Sequence, residues 1–462
     1  MSLIIRPIPS PATLHPHLSL AALGQVVPRA AIIAALDACD AHEQRTRKLP
    51  APLTVLLCIA MNLYAADALT HVLFRLVHVL RWRLADPGAA RVSKSAICQA
   101  RQRLGARPLI ALFHQVCRPL VTPNTPDALL CGLRVVALDR TTLDLPDTVG
   151  NAATFGRPSN QRGVGAWPQA AVVALIECAT HAPCDAAVSR CTASAARVGR
   201  PLVRSVGAGD LLLWDREFHS FDLLAATRAR DAHLLGRLPA GTHPTVLRTL
   251  ADGTQLVRVA PADRQRRTQG AHLVLRLIRY ALDDPARPGH AVEHRLLTSL
   301  IDPDQAPAAL LVEAYHARWE WEVAMDEIKT HQRPDTPLRS KTPTGVIQEI
   351  YALLIAHYVV RAVMAQAAAT VALPPTRLSF LTALRVIREA VPDLQGGTPR
   401  ERGRIYRQLL ADLVAVPLPP RANRLVPRVV KQQQSPYPVK RRRHRHWPQP
   451  TKPFRDAIVL LI

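Results

Sequence analysis

Four side chains between Tyr315 and Lys329 have types and spacing that suit chemistry on phosphate: Tyr315, Arg318, Glu322 and Lys329. The stretch contains no Pro or Gly and is rich in Ala, Glu and Trp, so one helix is expected from Ala314 to His331. On a helix each residue advances about 100°, which would gather the four within a sector of roughly 60°. One carboxylate would then lie in line with a phenol, a guanidinium and an ammonium. Cations on either side of an acid suit phosphates bound on either side of it, and Arg can hold one bidentately. An amphipathic helix with spaced ion pairs has the same pattern, so further acids are needed to give it weight.

Two aspartates supply them. The apolar run Leu133 to Leu138 ends at Asp139, and the run Leu211 to Trp214 ends at Asp215. Such runs read as buried strands, and open α/β sheets place their chemistry at strand ends. An Asp after a strand is by itself commonly a turn former or helix cap, so it is the combination with Glu322 that counts. Phosphoryl transfer is served by two hard cations about 4 Å apart, and Mg²⁺ prefers a few carboxylates plus water and phosphate. Asp139, Asp215 and Glu322 are therefore the expected catalytic and metal-holding acids, for two Mg²⁺ ions with Mn²⁺ as an alternative. Asp144, Asp147, Glu217, Asp222 and Asp326 remain alternatives within the same elements.

The pattern Tyr315, Arg318, Glu322 and Lys329 resembles the signature of the insertion-sequence-4 family of DDE transposases, over about Gly24 to Val416. The resemblance implies a cut-and-paste transposase that binds terminal inverted repeats, cleaves strands with metal ions and joins them to a target. It maps the family's catalytic triad onto Asp139, Asp215 and Glu322, and implies that Tyr315, Arg318 and Lys329 hold phosphates near the cut, including those beside a base turned out of the stack. A hairpin step rests on the resemblance alone. Arg140 and Glu217 stand where the family often has Gly. The alternatives are a catalytically silent DNA-binding inhibitor of transposition and a metal-dependent nuclease without strand transfer.

The formal charge of +24 points to a polyanionic partner, foremost double-stranded DNA. A homodimer is expected, since one active site serves one DNA end. Eight scattered cysteines suit reduced thiols in a cytoplasm; zinc at Cys178, His181, Cys184 and Cys191 matches no common spacing. Prolines interrupt the N-terminus too early for a secretory apolar region, and the apolar run 350–369 carries His357, Tyr358 and Arg361, so it is expected as a buried helix. The expected setting is the bacterial cytoplasm, at the nucleoid.

These residues must be positioned by an α/β fold: a ribonuclease-H-like catalytic core with a β-rich insertion, preceded by an all-helical N-terminal DNA-binding domain. The core follows from strands that alternate with helices, and the family name attached to it from the resemblance. The expected boundaries are a flexible lead at 1–23, helices at 24–125, the catalytic domain at 126–415 with its insertion at about 239–302, and a basic, Pro-rich tail at 416–462. In the helical part, Ser93 or Ser95 can cap a helix whose exposed side carries Gln99, Arg101 and Arg103, with Lys94 in its first turn. That is the form of a recognition helix as well as of an ordinary surface helix, and the resemblance favours DNA contact through Ser93, Lys94, Gln99, Arg101 and Arg103. Trp319 and Trp321 are expected to pack. The run Lys440 to Trp447 in the tail would clamp a phosphate backbone, with binding that weakens steeply with salt.

Overall fold

The structure, a computed structural model, describes residues 3–4, 26–43, 45, 49–83, 91–160, 163–285, 290–316, 318–333, 337–396, 398–419 and 451–461. The basic run from Lys440 to Trp447, and all but two residues of the lead, lie outside the described residues.

In chain order the main elements begin with five helices, α1 (Arg29–Asp37), α2 (Ala51–Leu63), α3 (Leu69–Arg83), α4 (Lys94–Leu104) and α5 (Arg107–Val116). They are followed by β1 (Leu133–Asp144), α6 (Val149–Phe155), β2 (Gln169–Glu177), β3 (Pro183–Arg190), β4 (Asp210–Trp214), α7 (Phe221–Arg228) and β5 (His233–Arg237). Next come β6 (Thr245–Thr249), β7 (Gln255–Val259), β8 (Leu273–Leu282), β9 (His294–Thr298), α8 (Ala308–His316) and α9 (Trp319–Asp326). A π-helix (Glu327–Gln332), α10 (Pro343–Thr370), α11 (Phe380–Gly396), α12 (Pro399–Val414) and β10 (Ile458–Leu460) complete the set.

The chain forms two compact units, Met1–Leu129 with Ala137–Ser205 and Glu320–Leu418, and Leu130–Val136 with Val206–Trp319 and Pro419–Ile462. Within the first unit α2 and α5 pack against α10. The whole of α2 except Pro52 is buried, and α10 is the core helix on which it lies. By length and hydropathy α10 could cross a membrane, but 83% of its apolar window is buried within the protein, as the sequence led one to expect. In the same unit β1 pairs with β2, and β2 with β3 in antiparallel register. The sequence did not mark β3 as a strand: it opens on Pro183 and is the last strand of its sheet, where a missing amide donor is tolerated.

In the second unit the start of β1 pairs with β4, Arg134 N donating to Gly209 O at 2.9 Å. The parallel pair β4–β5 continues into β9, β8, β7 and β6, all antiparallel, so the β-rich segment extends the sheet. The strand order is that of the expected α/β fold with a β-rich segment added to the sheet. All of β6 is exposed, which left no alternation to read in its sequence.

Gly236 stands opposite Trp214 in the β4–β5 register, and a Cβ there would come within 2.1 Å of the buried indole. Gly236→Ala is expected to lower stability by about 1–3 kcal/mol, as overpacking does, and to disturb Asp215, the residue after Trp214. Urea denaturation checks it; an unchanged midpoint would mean that the indole can move aside.

The single helix expected from Ala314 to His331 is a correction. Helix α8 ends at His316, Arg318 lies in a turn with its amide on Tyr315 O at 3.1 Å, α9 restarts at Trp319, and a π-helix takes over at Glu327. Composition favours α-helix throughout, so the change of register at Glu327 follows from tertiary contacts that grip that side chain. The 60° sector does not carry over to an interrupted helix.

Candidate active site

In the second unit the chemistry centres on Asp215, half-buried just past the end of β4. Its Oδ1 accepts from Arg216 N at 2.7 Å, and Tyr315 on α8 donates its hydroxyl to the same oxygen at 3.4 Å. Burial, and next the Asp215 carboxylate, push the Tyr315 phenol far above the ordinary tyrosine range, against the pull of Arg318 and Arg237. The phenol therefore keeps its proton and stays a donor. The structure thus brings together two residues that the sequence reading had placed in separate motifs, with Arg318 among the charges acting on them.

That reading missed Arg237, Tyr280 and His294. Arg237 follows Gly236 at the end of β5, one residue past the Gly236–Trp214 pair, and its Nη2 lies 3.3 Å from His294 Nδ1; the His294 ring stacks on Tyr280 at 5.0 Å. The available signal was a second parallel strand ending on a charge. Glu217, where the resemblance has Gly, is exposed in a short 3₁₀ turn and leaves the Asp215 backbone extended.

In the first unit Asp139 lies on β1, its Oδ1 accepting from Arg140 N at 2.7 Å. The Arg140 side chain reaches Ala193 O at 3.2 Å and also Cys191 O, so it ties β1 to the turn after β3. Thr141 shares the strand face of Asp139, two residues on, and accepts from Lys329 Nζ at 3.1 Å. Lys329 is thereby held beside the first acid's strand. Glu322 is half-buried on α9, whose neighbour Trp321 is buried and donates Nε1 to Ala174 O at 3.1 Å. Trp321 packs as expected, whereas Trp319 is 42% exposed.

Four of the five alternative acids have structural partners. Asp144 accepts from Gln169 at 2.8 Å, Asp147 pairs with Arg157, Asp222 pairs with Arg266 at 2.6 Å, and Asp326 accepts from Thr330 at 2.7 Å. Beside Lys329 a cavity of about 550 Å³ is lined by Thr142, Asp144, Trp167, Gln169, Thr330 and Arg333 among others.

Asp139 lies within β1, which runs on to Asp144 rather than ending at the acid as expected, whereas Asp215 follows the end of β4; together with Glu322 on a helix their oxygens suit Mg²⁺ by chemistry, and each aspartate is oriented by the amide that follows it. Among the described residues no group of three or more His, Cys, Asp or Glu side chains is gathered so as to hold a metal ion.

The exposed-face reading of α4 needs a correction. Ser93 does cap the helix, accepting from Ala96 N at 3.2 Å, and Lys94, Gln99 and Arg103 are exposed, Arg103 near Glu43 at 3.4 Å. Arg101 instead is 9% exposed and donates to Gln348 at 3.0 Å and to Ser340 at 2.8 Å. On a helix residue 101 lies near 97 and 104, and both Ile97 and Leu104 are buried, so the chain places a guanidinium on the inward face.

His357 on α10 is wholly buried; burial pushes its pKa down to about 4, against the pull of Glu327. The folded ring thus stays neutral where the unfolded chain takes up a proton, so its contribution is complete above about pH 6.5 and is lost as the pH falls toward 4. From this group alone, stability is expected to fall by about 2 kcal/mol between pH 7 and pH 5. Urea titrations at both pH values check it, and His357→Asn should flatten the difference.

Two family patterns match the chain: Insertion element 4 transposase N-terminal at residues 17–114, and Transposase DDE domain at residues 131–359. The transposase InsG of insertion sequence element IS4 from Escherichia coli is 30% identical over 403 residues, covering 86% of this chain and 88% of that protein. InsZ of Escherichia coli is 25% identical over 156 residues, covering 34% of this chain and 52% of that protein. Among solved structures, a piggyBac transposase synaptic complex with hairpin DNA aligns at TM-score 0.40 and 9% identity, covering 89% of this chain and 86% of that one.

Proposed function

Since the chain belongs to the insertion-sequence-4 family of DDE transposases, we propose that it binds the terminal inverted repeats of its element, cleaves them with divalent metal ions and joins the freed 3′ ends to a target by a cut-and-paste route. Asp139, Asp215 and Glu322 are the acids of this reading. Two Mg²⁺ ions held by them would activate the attacking oxygen and stabilise the leaving one. The chain's own cations do the positioning. Lys329, tethered to Thr141 at 3.1 Å, and Arg318 hold phosphates on either side of the cut, while Tyr315 keeps the Asp215 carboxylate in one orientation. Helix α4 contributes Lys94, Gln99 and Arg103 to DNA, within a helical DNA-binding domain at 24–125, and the basic tail adds salt-sensitive affinity. Two copies bring two ends together.

The observation that supports this reading most directly is the Tyr315 hydroxyl on Asp215, because the first residue of the signature meets the second acid across 100 positions of chain. The test is incubation of the purified protein with DNA carrying the inverted repeats that flank its gene, with and without Mg²⁺. Metal-dependent cutting followed by joining is expected; cutting alone would make it a nuclease, and retention without cutting a silent binder.

A further inference from the structure

We propose that His181 and Glu327 are positioning residues for Glu322, holding the rotation of the helix that carries it. The inference rests on the reading of Glu322 as the third acid. His181 stands in the turn between β2 and β3, and its two ring nitrogens face two carboxylates of the signature stretch: Nε2 lies 2.8 Å from Glu320 Oε2, and Nδ1 3.2 Å from Glu327 Oε1. These acids lie on either side of Glu322 in the chain, seven residues or about two turns apart, so one imidazole grips the helix before and after the acid.

Glu327 is held from α10 as well. Arg361 Nε donates to Oε2 at 2.9 Å, Arg361 Nη2 reaches both Oε1 and His181 Nδ1 and so joins the imidazole to the carboxylate, and His357 Nε2 meets Oε2 at 3.1 Å. His181, Glu327, His357 and Arg361 are all buried. Two further observations mark the place as specified by its surroundings. His181 has a φ of +58°, in the left-handed region that few residues other than Gly occupy, and the π-helix begins at Glu327, the residue that is gripped. None of these side chains is read as touching the reacting phosphate, so they act through the orientation of α9. A rotation of about 20° at the roughly 5–6 Å radius of a helical side chain moves it about 2 Å, and misplacements near 1 Å can lower rates about a hundredfold.

The test uses the full-length protein with end-sequence DNA and Mg²⁺. His181→Leu should lower the cleavage rate at saturating DNA about a hundredfold while changing DNA affinity less than twofold, and should speed amide hydrogen exchange in 319–332 at least tenfold. His181→Gln, which keeps one donor, should recover part of both. Glu320→Ala removes one arm at a part-exposed position where folding is not at stake, and should cost about tenfold in cleavage. Glu322→Gln serves as the control. Dead Glu322→Gln beside His181 and Glu320 variants with wild-type cleavage and exchange would overturn the positioning role. Cleavage by Glu322→Gln would instead overturn the reading of the acid, and the exchange of 319–332 would then decide whether His181 holds the helix.

Discussion

Glu322→Gln is expected to lower strand cleavage by on the order of a thousandfold or more while leaving the affinity for end DNA within about twofold. The substitution keeps the shape of the side chain and removes the one charge that a hard cation on this helix would need. The predicted phosphate contacts are untouched by it: Lys329 remains on Thr141 at 3.1 Å, and Tyr315 remains on Asp215. Binding is measured by fluorescence anisotropy without metal and cleavage by strand-specific gels with it. A variant that still cuts would move the third acid elsewhere. Asp326 would then be the first candidate, although it is exposed and already accepts from Thr330 at 2.7 Å.

Arg101→Met is expected to lower stability by about 2–3 kcal/mol and, below its melting temperature, to leave DNA affinity unchanged. The reason is the buried cluster to which this guanidinium belongs. Glu349 is fully buried on α10; burial drives its pKa up, but Arg333 and Arg101 pull it below the usual carboxylate range. Arg333 pairs with it at 2.7 Å and Arg101 at 3.8 Å, while Arg101 also holds Gln348 and Ser340. Removing Arg101 leaves those acceptors short of a donor and the carboxylate with one fewer cation, a loss that Arg333 only partly offsets. Lys94→Ala, Gln99→Ala and Arg103→Ala should do the opposite, sparing the melting temperature and weakening binding to DNA. Equal loss of affinity with Arg101→Met, at full stability, would restore Arg101 to the DNA-reading face.

The contrast between those two sites shows what a local pattern can carry. The apolar runs before Asp139 and Asp215 were legible as strands; β4, buried throughout, follows that reading, while β1 runs past Asp139 to Asp144 with only its middle buried. The apolar stretch of α10 was legible as a core helix because His357 and Arg361 within it would be costly in lipid. The signature stretch was legible in its residues but not in its shape. An uninterrupted α-helix was the best reading of composition, yet the chain turns at Arg318 and widens to a π-helix at Glu327.

The sequence by itself determined the α/β class, the polyanion-seeking charge, the apolar runs leading to Asp139 and Asp215 and the spacing of the signature, because each is written in neighbouring residues or in composition. Only the tertiary structure decided that Arg101 turns inward, that Arg237, Tyr280 and His294 gather near Tyr315 and Asp215, and that His181 grips Glu320 and Glu327. Those contacts join positions from tens to well over a hundred residues apart. No periodicity links such positions; they meet because buried charge must find a partner of opposite sign wherever the packed elements bring one within reach.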